Sequence, residues 1–406
     1  MNDAAPWLSI LGIGEDGVAG LSAQARALLG GAALVVGGRR HLALADASIT
    51  GERMAWPSPI AGALPDILAR RPAPVVALAS GDPFCFGVGP MLAEAAPDFL
   101  CLPAPSSPGL ACARLGWALQ DVAVISFCGR PLAPLARLLH PGTRVLALSA
   151  DAATPAEVAA FLSARGFGPS QVTVLEALGG PSERRRASTA EAFALSGIHA
   201  LNIVAIEVAA GPDARVVPLG TGLHDDLFAH DGQITKREIR AMTLAALAPR
   251  RGELLWDIGT GSGSVAIEWL LQHPANRAIG MDRHPERLAR AECNAERMGV
   301  PSLRLVQGDA PACLDGLPPP NAVFIGGGAR NREIIHAAWK ALQPLGRLVA
   351  NSVTMETEMV LMASQALHGG SLTRVGVERL DCIGELHGFR PAMTVTQWAV
   401  TKDARA

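Results

Sequence analysis

Tyrosine is absent from the 406 residues, and the seven Trp and ten Phe are scattered along the chain. So few rings leave no platform on which nucleic-acid bases would stack. Charge is sparse too: 18% of residues are charged, and 35 basic against 37 acidic side chains leave a net charge of −2. That balance gives no electrostatic footprint for nucleic acid or an acidic membrane surface. The cysteines (Cys85, Cys101, Cys112, Cys128, Cys293, Cys313 and Cys382) form no CxxC pair, and none stands near a His at metal-ligand spacing. An odd number without a pairing framework implies reduced thiols and a cytoplasmic setting, and no metal site is expected. No run of roughly 18 residues is apolar enough to span a bilayer. The opening MNDAAP has no basic stretch, and Gly12 and Gly14 interrupt the first apolar run, which reads as a strand and not as an export signal.

What is present is material for buried cores. Half the residues are hydrophobic, and the length suits two or three domains at roughly 100–200 residues each. Short β-branched runs alternate with Ala/Leu/Arg stretches of helical period, the pattern of an α/β protein. Strands are predicted at 7–13, 33–36, 75–79, 99–102, 122–126, 144–148, 171–177 and 201–208. Over 211–234 the periodicity stops among Gly, Pro, Asp and His, and the linker is placed at 211–230. Further strands are predicted at 253–258, 277–282, 303–306, 321–326, 346–351, 373–379 and 393–400. No helix separates the last two, so they should form an antiparallel edge.

The sharpest local signal is a glycine loop: the strand Glu253–Ile258 carries Asp257 near its end, and Gly259, Gly261 and Gly263 follow at alternate positions before a helical run from Val265. Glycines let the backbone turn tightly and approach a ligand, and a helix start offers unpaired N–H groups to an anion. A nucleotide-binding Rossmann turn also begins GxG, but its fingerprint is GxGxxG and here the spacing is GxGxG. The next strand ends in Asp282, where a carboxylate can accept ribose hydroxyls. The third ends at Gly308-Asp309-Ala310 and the fourth at Gly326–Gly328. Any one of these could be a plain strand-end turn; four in succession point to a ligand cleft. Thr235 and Glu238 have the spacing of a helix capping box. Thr235 could equally touch a cofactor, with Lys236 or Arg237 meeting substrate carboxylates.

This pattern resembles the first motifs of the class I S-adenosylmethionine (SAM)-dependent methyltransferases, with a Rossmann-like fold. The resemblance implies cofactor contacts from Thr235, Asp257, Gly259, Thr260, Gly261, Ser262, Gly263, Asp282, Asp309 and Ala310. In the N-terminal half, four stretches occur in order: Gly12-Ile13-Gly14, Gly81-Asp82-Pro83, Pro103–Gly109 with Ser106 and Ser107, and Leu178–Arg186. They resemble the tetrapyrrole methylase family, in which SAM binds folded between two α/β subdomains. That implies Gly81, Asp82, Pro83, Ser106 and Ser107 at the cofactor, and Gly12 and Gly14 on the substrate side. Where the family carries Pro-Gly before the Ser pair, this chain has Ala104-Pro105. The run Arg184–Arg186 is either a solvated face or a grip for carboxylates, which Arg forks match.

Together the halves resemble the precorrin-6Y C5,15-methyltransferase (decarboxylating) family over essentially the whole chain, with domains at 1–210 and 231–406. The resemblance implies one SAM per domain, a precorrin tetrapyrrole as substrate, and a homo-oligomer. It assigns C5 methylation to the first domain, and C15 methylation with loss of the ring C acetate carboxyl to the second. Arg283, His284, Arg330 and Arg332 follow cofactor-side strand ends and are candidates to hold acetate and propionate arms; each is also an ordinary surface charge. No residue is picked out as the catalyst of decarboxylation. A nicotinamide oxidoreductase is disfavoured by the glycine spacing. An RNA or protein methyltransferase is disfavoured by the neutral charge and by Ile325-Gly-Gly-Gly where an Asn-Pro-Pro-Tyr turn would stand. A non-catalytic scaffold is disfavoured because both loops are intact.

Overall fold

Apolar runs too short for helices become strands buried on both faces. The computed structural model describes residues 6–404, so the opening MNDAA, read above as part of the chain's start, lies outside the described residues. Two units emerge, one running to Arg215 and the other from Val216, with the short segment Ala133–Arg137 grouped with the second.

The first unit has two sheets. One contains β1 (Leu8–Ile13), β2 (Leu34–Gly37), β3 (Glu52–Ala55), β4 (Val75–Ser80) and β5 (Phe99–Leu102) in the order β3-β2-β4-β1-β5. All its pairings are parallel. The other contains β6 (Val122–Ser126), β7 (Arg144–Leu148), β8 (Gln171–Glu176), β9 (Arg184–Thr189) and β10 (Asn202–Glu207), ordered β6-β7-β10-β8-β9. Here only β6 and β7 are parallel. The two edge strands β3 and β9 went unread in the sequence because they are charged and largely exposed, as sheet edges commonly are. Within β9, Arg184 and Arg186 combine a part-exposed face with an internal partner. Both clasp Glu176, a fully buried carboxylate on the neighbouring strand, at 2.7 and 3.0 Å. Burial alone would raise the Glu176 pKa, but bonds from Arg184, the His199 N–H and Arg186 hold it at about 2.

The second unit is one seven-stranded sheet. Its strands are β11 (Leu254–Ile258), β12 (Arg277–Asp282), β13 (Arg304–Gln307), β14 (Ala322–Ile325), β15 (Arg347–Ser352), β16 (Ser371–Val375) and, after a separate hairpin β17 (Glu378–Ile383) and β18 (Leu386–Pro391), β19 (Val395–Thr401). The order is β13-β12-β11-β14-β15-β19-β16. Strand order reverses between β11 and β14, where open α/β sheets bind ligands. Alternate residues feed two cores. Leu255, Ala278, Phe324 and Val349 pack on one face; Trp256, Ile279, Val323 and Leu348 pack on the other. The last two sheet strands do pair antiparallel, but β19 lies one place in from the edge, between β15 and β16. The expected strand 373–379 is divided: β16 stops at Val375, and residues 378 and 379 open the hairpin that leaves the sheet. Among the described residues, no helix is long and apolar enough to cross a membrane.

The segment read as the domain linker packs against the second unit. Val217, Leu223 and Phe228 are buried in the second unit's core. A buried ionic cluster fixes it: Arg240 donates to Glu268 at 2.5 Å and to Asp225 at 3.0 Å. Glu268 also accepts the Gly222 and Leu223 N–H groups at 2.7 and 3.0 Å. The capping box does not form. Lys236 is the N-cap of the helix Arg237–Leu247 and makes no side-chain cap bond. Glu238 turns instead to Arg379 of β17. Removing one member of a buried ion pair strands the other, at about 3–5 kcal/mol. Arg240→Ala should therefore lower stability by about that amount in urea titration; a loss within the range of a surface substitution would show that the cluster does not hold the segment.

Candidate active site

In the second unit the glycine turn is set by steric limits. Gly259 sits at φ +75°, and a Cβ there would lie 2.9 Å from the Gly327 nitrogen. The turn after β11 and the turn after β14 thus meet main chain to main chain. At Gly261, by contrast, the nearest atom to a Cβ would be the Gln233 carbonyl at 3.8 Å, so the loop opens on free space. The N–H groups of Gly259 and Thr260 both donate to the Met281 carbonyl at 2.9 Å, tying the turn to β12. Asp282 at the end of β12 accepts the Gly261 N–H at 3.1 Å and the His284 N–H at 3.0 Å. An ionised carboxylate has about four acceptor sites, so two remain for hydroxyl donors. The Gly308 N–H donates to the Asp282 carbonyl at 3.1 Å, which brings the turn carrying Asp309 and Ala310 alongside.

Asp257 lies beneath the turn, 1% exposed. Its Oδ2 accepts Thr260 Oγ1 at 2.8 Å and the Ala266 N–H at 3.2 Å. Its Oδ1, like Ser262 Oγ, is buried without a partner. Burial pushes the Asp257 carboxyl up to about 7, the Asp282 charge adds to the rise, and the Thr260 and Ala266 bonds oppose it. An orphaned carboxylate oxygen beside an open loop calls for a donor.

Of the remaining residues singled out from sequence, Arg283 pairs with Asp309 at 3.8 Å and His284 stands 3.4 Å from Glu286, all well exposed. Arg330, Arg332 and Arg237 are exposed, and Lys236 and Thr235 are half-buried. The structure does not gather these cations into one cluster. It adds residues that the sequence did not flag. Arg287 and Arg290 bond Asp231 at 3.2 and 3.0 Å, and Arg287 also reaches Gln233 at 2.7 Å. Fully buried Asn294 donates to the Ser262 carbonyl and to the Ala229 carbonyl, each at 2.9 Å. Residues 287, 290 and 294 share one face of the helix Pro285–Arg297, a spacing that could have revealed them. At the end of β15, against β16 and the start of β19, a cavity of about 380 Å³ is lined by Ser352, Thr354, Met355, Glu358, Arg374 and Thr396.

The first unit repeats the steric logic on a different sheet. A Cβ on Gly12 would fall 1.9 Å from the Gly81 carbonyl oxygen and 2.4 Å from the Ala104 nitrogen. Gly81 N–H donates to Ile13 and Ala104 N–H to Gly81, each at 3.1 Å. The turns after β1, β4 and β5 therefore converge. Asp82 braces its own turn by accepting the Phe84 N–H at 2.9 Å. Ser106 caps the helix Ser107–Leu115 by accepting the Gly109 N–H at 3.2 Å. Gly14, Gly81 and Ser107 line a cleft whose other wall includes Leu110, Leu175, Leu178 and Ile203. Asp82, Pro83 and Ser106 lie in the adjoining turns, and Gly12 is the last but one residue of β1.

Fold and turns define a pair of α/β methyltransferase units. Residues 8–194 match the family described as Tetrapyrrole (Corrin/Porphyrin) Methylases, and residues 226–402 match the Precorrin methyltransferase domain. The precorrin-6Y C(5,15)-methyltransferase (decarboxylating) of Sinorhizobium sp is 55% identical over 98% of this chain and 97% of its own. The protein of the same name from Mycobacterium tuberculosis is 40% identical, over 97% of this chain and 99% of its own. The cobalt-precorrin-6B C(15)-methyltransferase (decarboxylating) of Salmonella typhimurium is 31% identical, and 45% of this chain covers 96% of it. The chain belongs to the precorrin-6Y C(5,15)-methyltransferase (decarboxylating) family, whose methyl donor is SAM.

The Asp257 environment makes a prediction. A carboxyl raised in the folded state adds stability fully below its unfolded value of 3.8, and that contribution is gone once the pH has risen through about 7. Relative to Asp257→Asn, the unmodified protein should lose stability between about pH 4.5 and about pH 7.5 in denaturant titrations. A pH-independent difference would mean that the carboxyl is not perturbed.

Proposed function

We propose that each unit binds one SAM, that the first methylates C5 of precorrin-6Y, and that the second methylates C15 and releases the ring C acetate carboxyl as carbon dioxide, giving precorrin-8X. The observation that carries this reading is the pair of close-packed glycine turns, one per unit, built where a Cβ is excluded. The Salmonella relative supports the division of labour. Its printed name covers the C(15) reaction alone, and under half of this chain spans it. The domains are read as 1–210 and 231–406, with 211–230 joining them and packed largely into the second unit's core.

The donor supplies an activated electrophilic methyl carbon, so the protein's task is alignment. In the second unit Gly259–Gly263 would receive the donor's amino-acid end, with the Asp257 and Ser262 orphans as polar partners directly or through water. Asp282 would accept the ribose hydroxyls, and Asp309, Ala310 and Thr235 would flank the adenine end. In the first unit Gly81, Asp82, Pro83, Ser106 and Ser107 take the same part, with Gly12 and Gly14 toward the acceptor. The bridging carbons of an electron-rich macrocycle are nucleophiles in themselves, and the conjugated ring can absorb the electron pair that decarboxylation leaves. The cavity beside β15 suits the acceptor in the second unit. Lys236, Arg237, Arg283, His284, Arg330 and Arg332 are the cations available for its carboxylate arms. The protein acts in the cytoplasm and forms a homo-oligomer; Leu380, Ile383, Leu386 and Phe389, 62 to 73% exposed on the β17–β18 hairpin, support self-association.

Incubated with SAM and precorrin-6Y, the full chain should yield a product that has gained two methyl groups and lost one carbon dioxide, read by mass spectrometry. Asp282→Ala should stop the C15 methylation and the decarboxylation while C5 methylation continues. Loss of both methylations in that variant, or of neither, would contradict the assignment.

A further inference from the structure

The converging turns explain the main-chain side of the first unit's cleft, but not its cluster of polar side chains. Glu15, Arg40 and Ser80 line the cleft beside Gly14 and Gly81. Glu15 follows the β1 turn, Ser80 ends β4, and Arg40 lies in the first turn of the helix Arg39–Ala45. One Nη of Arg40 pairs with the Glu15 carboxylate. The other donates to Ser80 Oγ at 2.9 Å and to His41 Nε2 at 2.9 Å. Ser80 Oγ also stands 2.8 Å from His41 Nε2.

This arrangement sets the state of His41. A guanidinium only donates, so His41 Nε2 must accept, and the ring carries its proton on Nδ1. Protonating Nε2 would face donor with donor. Burial, reinforced by the Arg40 charge, takes His41 down to about 4. The imidazole therefore stays neutral and, with Ser80, fixes the guanidinium plane. Arg40 remains a permanent cation, 35% exposed, held at the edge of a cleft whose far wall is apolar. Its contacts use three of five N–H donors, and the rest have no partner among the described residues. Among the described residues Glu15 is the one carboxylate in contact with it, and it is supplied by the protein itself.

We propose that Arg40 anchors a peripheral carboxylate of the substrate macrocycle in the first unit, the substrate displacing Glu15 while His41 and Ser80 hold the guanidinium in place. Arg40 and Glu15 thus set specificity for an anionic acceptor, and His41 is a positioning residue. The inference rests on the reading of this cleft as the C5-methylation site.

The test uses the full chain with SAM and precorrin-6Y, following C5 methylation by mass and separating KM from kcat. Arg40→Gln should raise KM roughly tenfold to a hundredfold, the worth of a charge-assisted bond. His41→Asn should raise KM by less, with kcat near the original. Glu15→Gln should lower KM several-fold, because the anchor loses its internal competitor. None of the three should change C15 methylation. An unchanged KM in Arg40→Gln, or a KM in Glu15→Gln raised as far as in Arg40→Gln, would reduce the cluster to a structural ion pair and overturn the proposal. An unmodified protein that methylates C15 but not C5 would instead refute the reading of the cleft.

Discussion

Main chain approaching main chain, with no room for a side chain between, is the constraint on which both clefts depend. In the first unit Gly12 lies against the Gly81 carbonyl and the Ala104 nitrogen; in the second Gly259 lies against Gly327. Two sheets of different topology use the same device. A Cβ at either place would push apart the strand ends that shape the cleft. Close approach also leaves the open side of each turn lined by backbone, which is rigid because the strands behind it are buried on both faces.

Buried charge serves this rigidity. Glu268 and Arg240 fasten the segment that leads into the second unit, and Asn294 joins that segment to the glycine turn through Ala229 and Ser262. Glu176 does the same for the edge strand β9 in the first unit. These groups are fully satisfied and turned inward. The cations left at strand ends, such as Arg283 and Arg330, are exposed and loosely partnered. The division suits a protein whose scaffold must hold still while its rim accommodates a large, flexible-armed substrate.

The central strands were legible because an apolar run flanked by glycine has little else to become. The order of turns at 259–263, 282, 308–310 and 326–328 was legible because each is needed at a strand end. The charged edge strands β3 and β9 were not, since they look like surface charge until a neighbouring strand pairs with them. Nor was the packing of 217–228, where the three residues that become buried, Val217, Leu223 and Phe228, stand among Gly, Pro and Asp with no period. Thr235 and Glu238 had capping spacing, but a long-range partner, Arg379, claimed Glu238. Arg40 passed unnoticed because its role depends on Glu15 and Ser80, which only the β1–β4 pairing brings near.

The central claim is that each unit presents its own donor-binding turn. Calorimetric titration of the full chain with SAM measures this directly. Two sites per chain are expected, and a Gly259→Val substitution, which forces a side chain into the Gly327 backbone, should remove one and leave the other. A single site in the unmodified protein, or loss of both from that one substitution, would contradict the account.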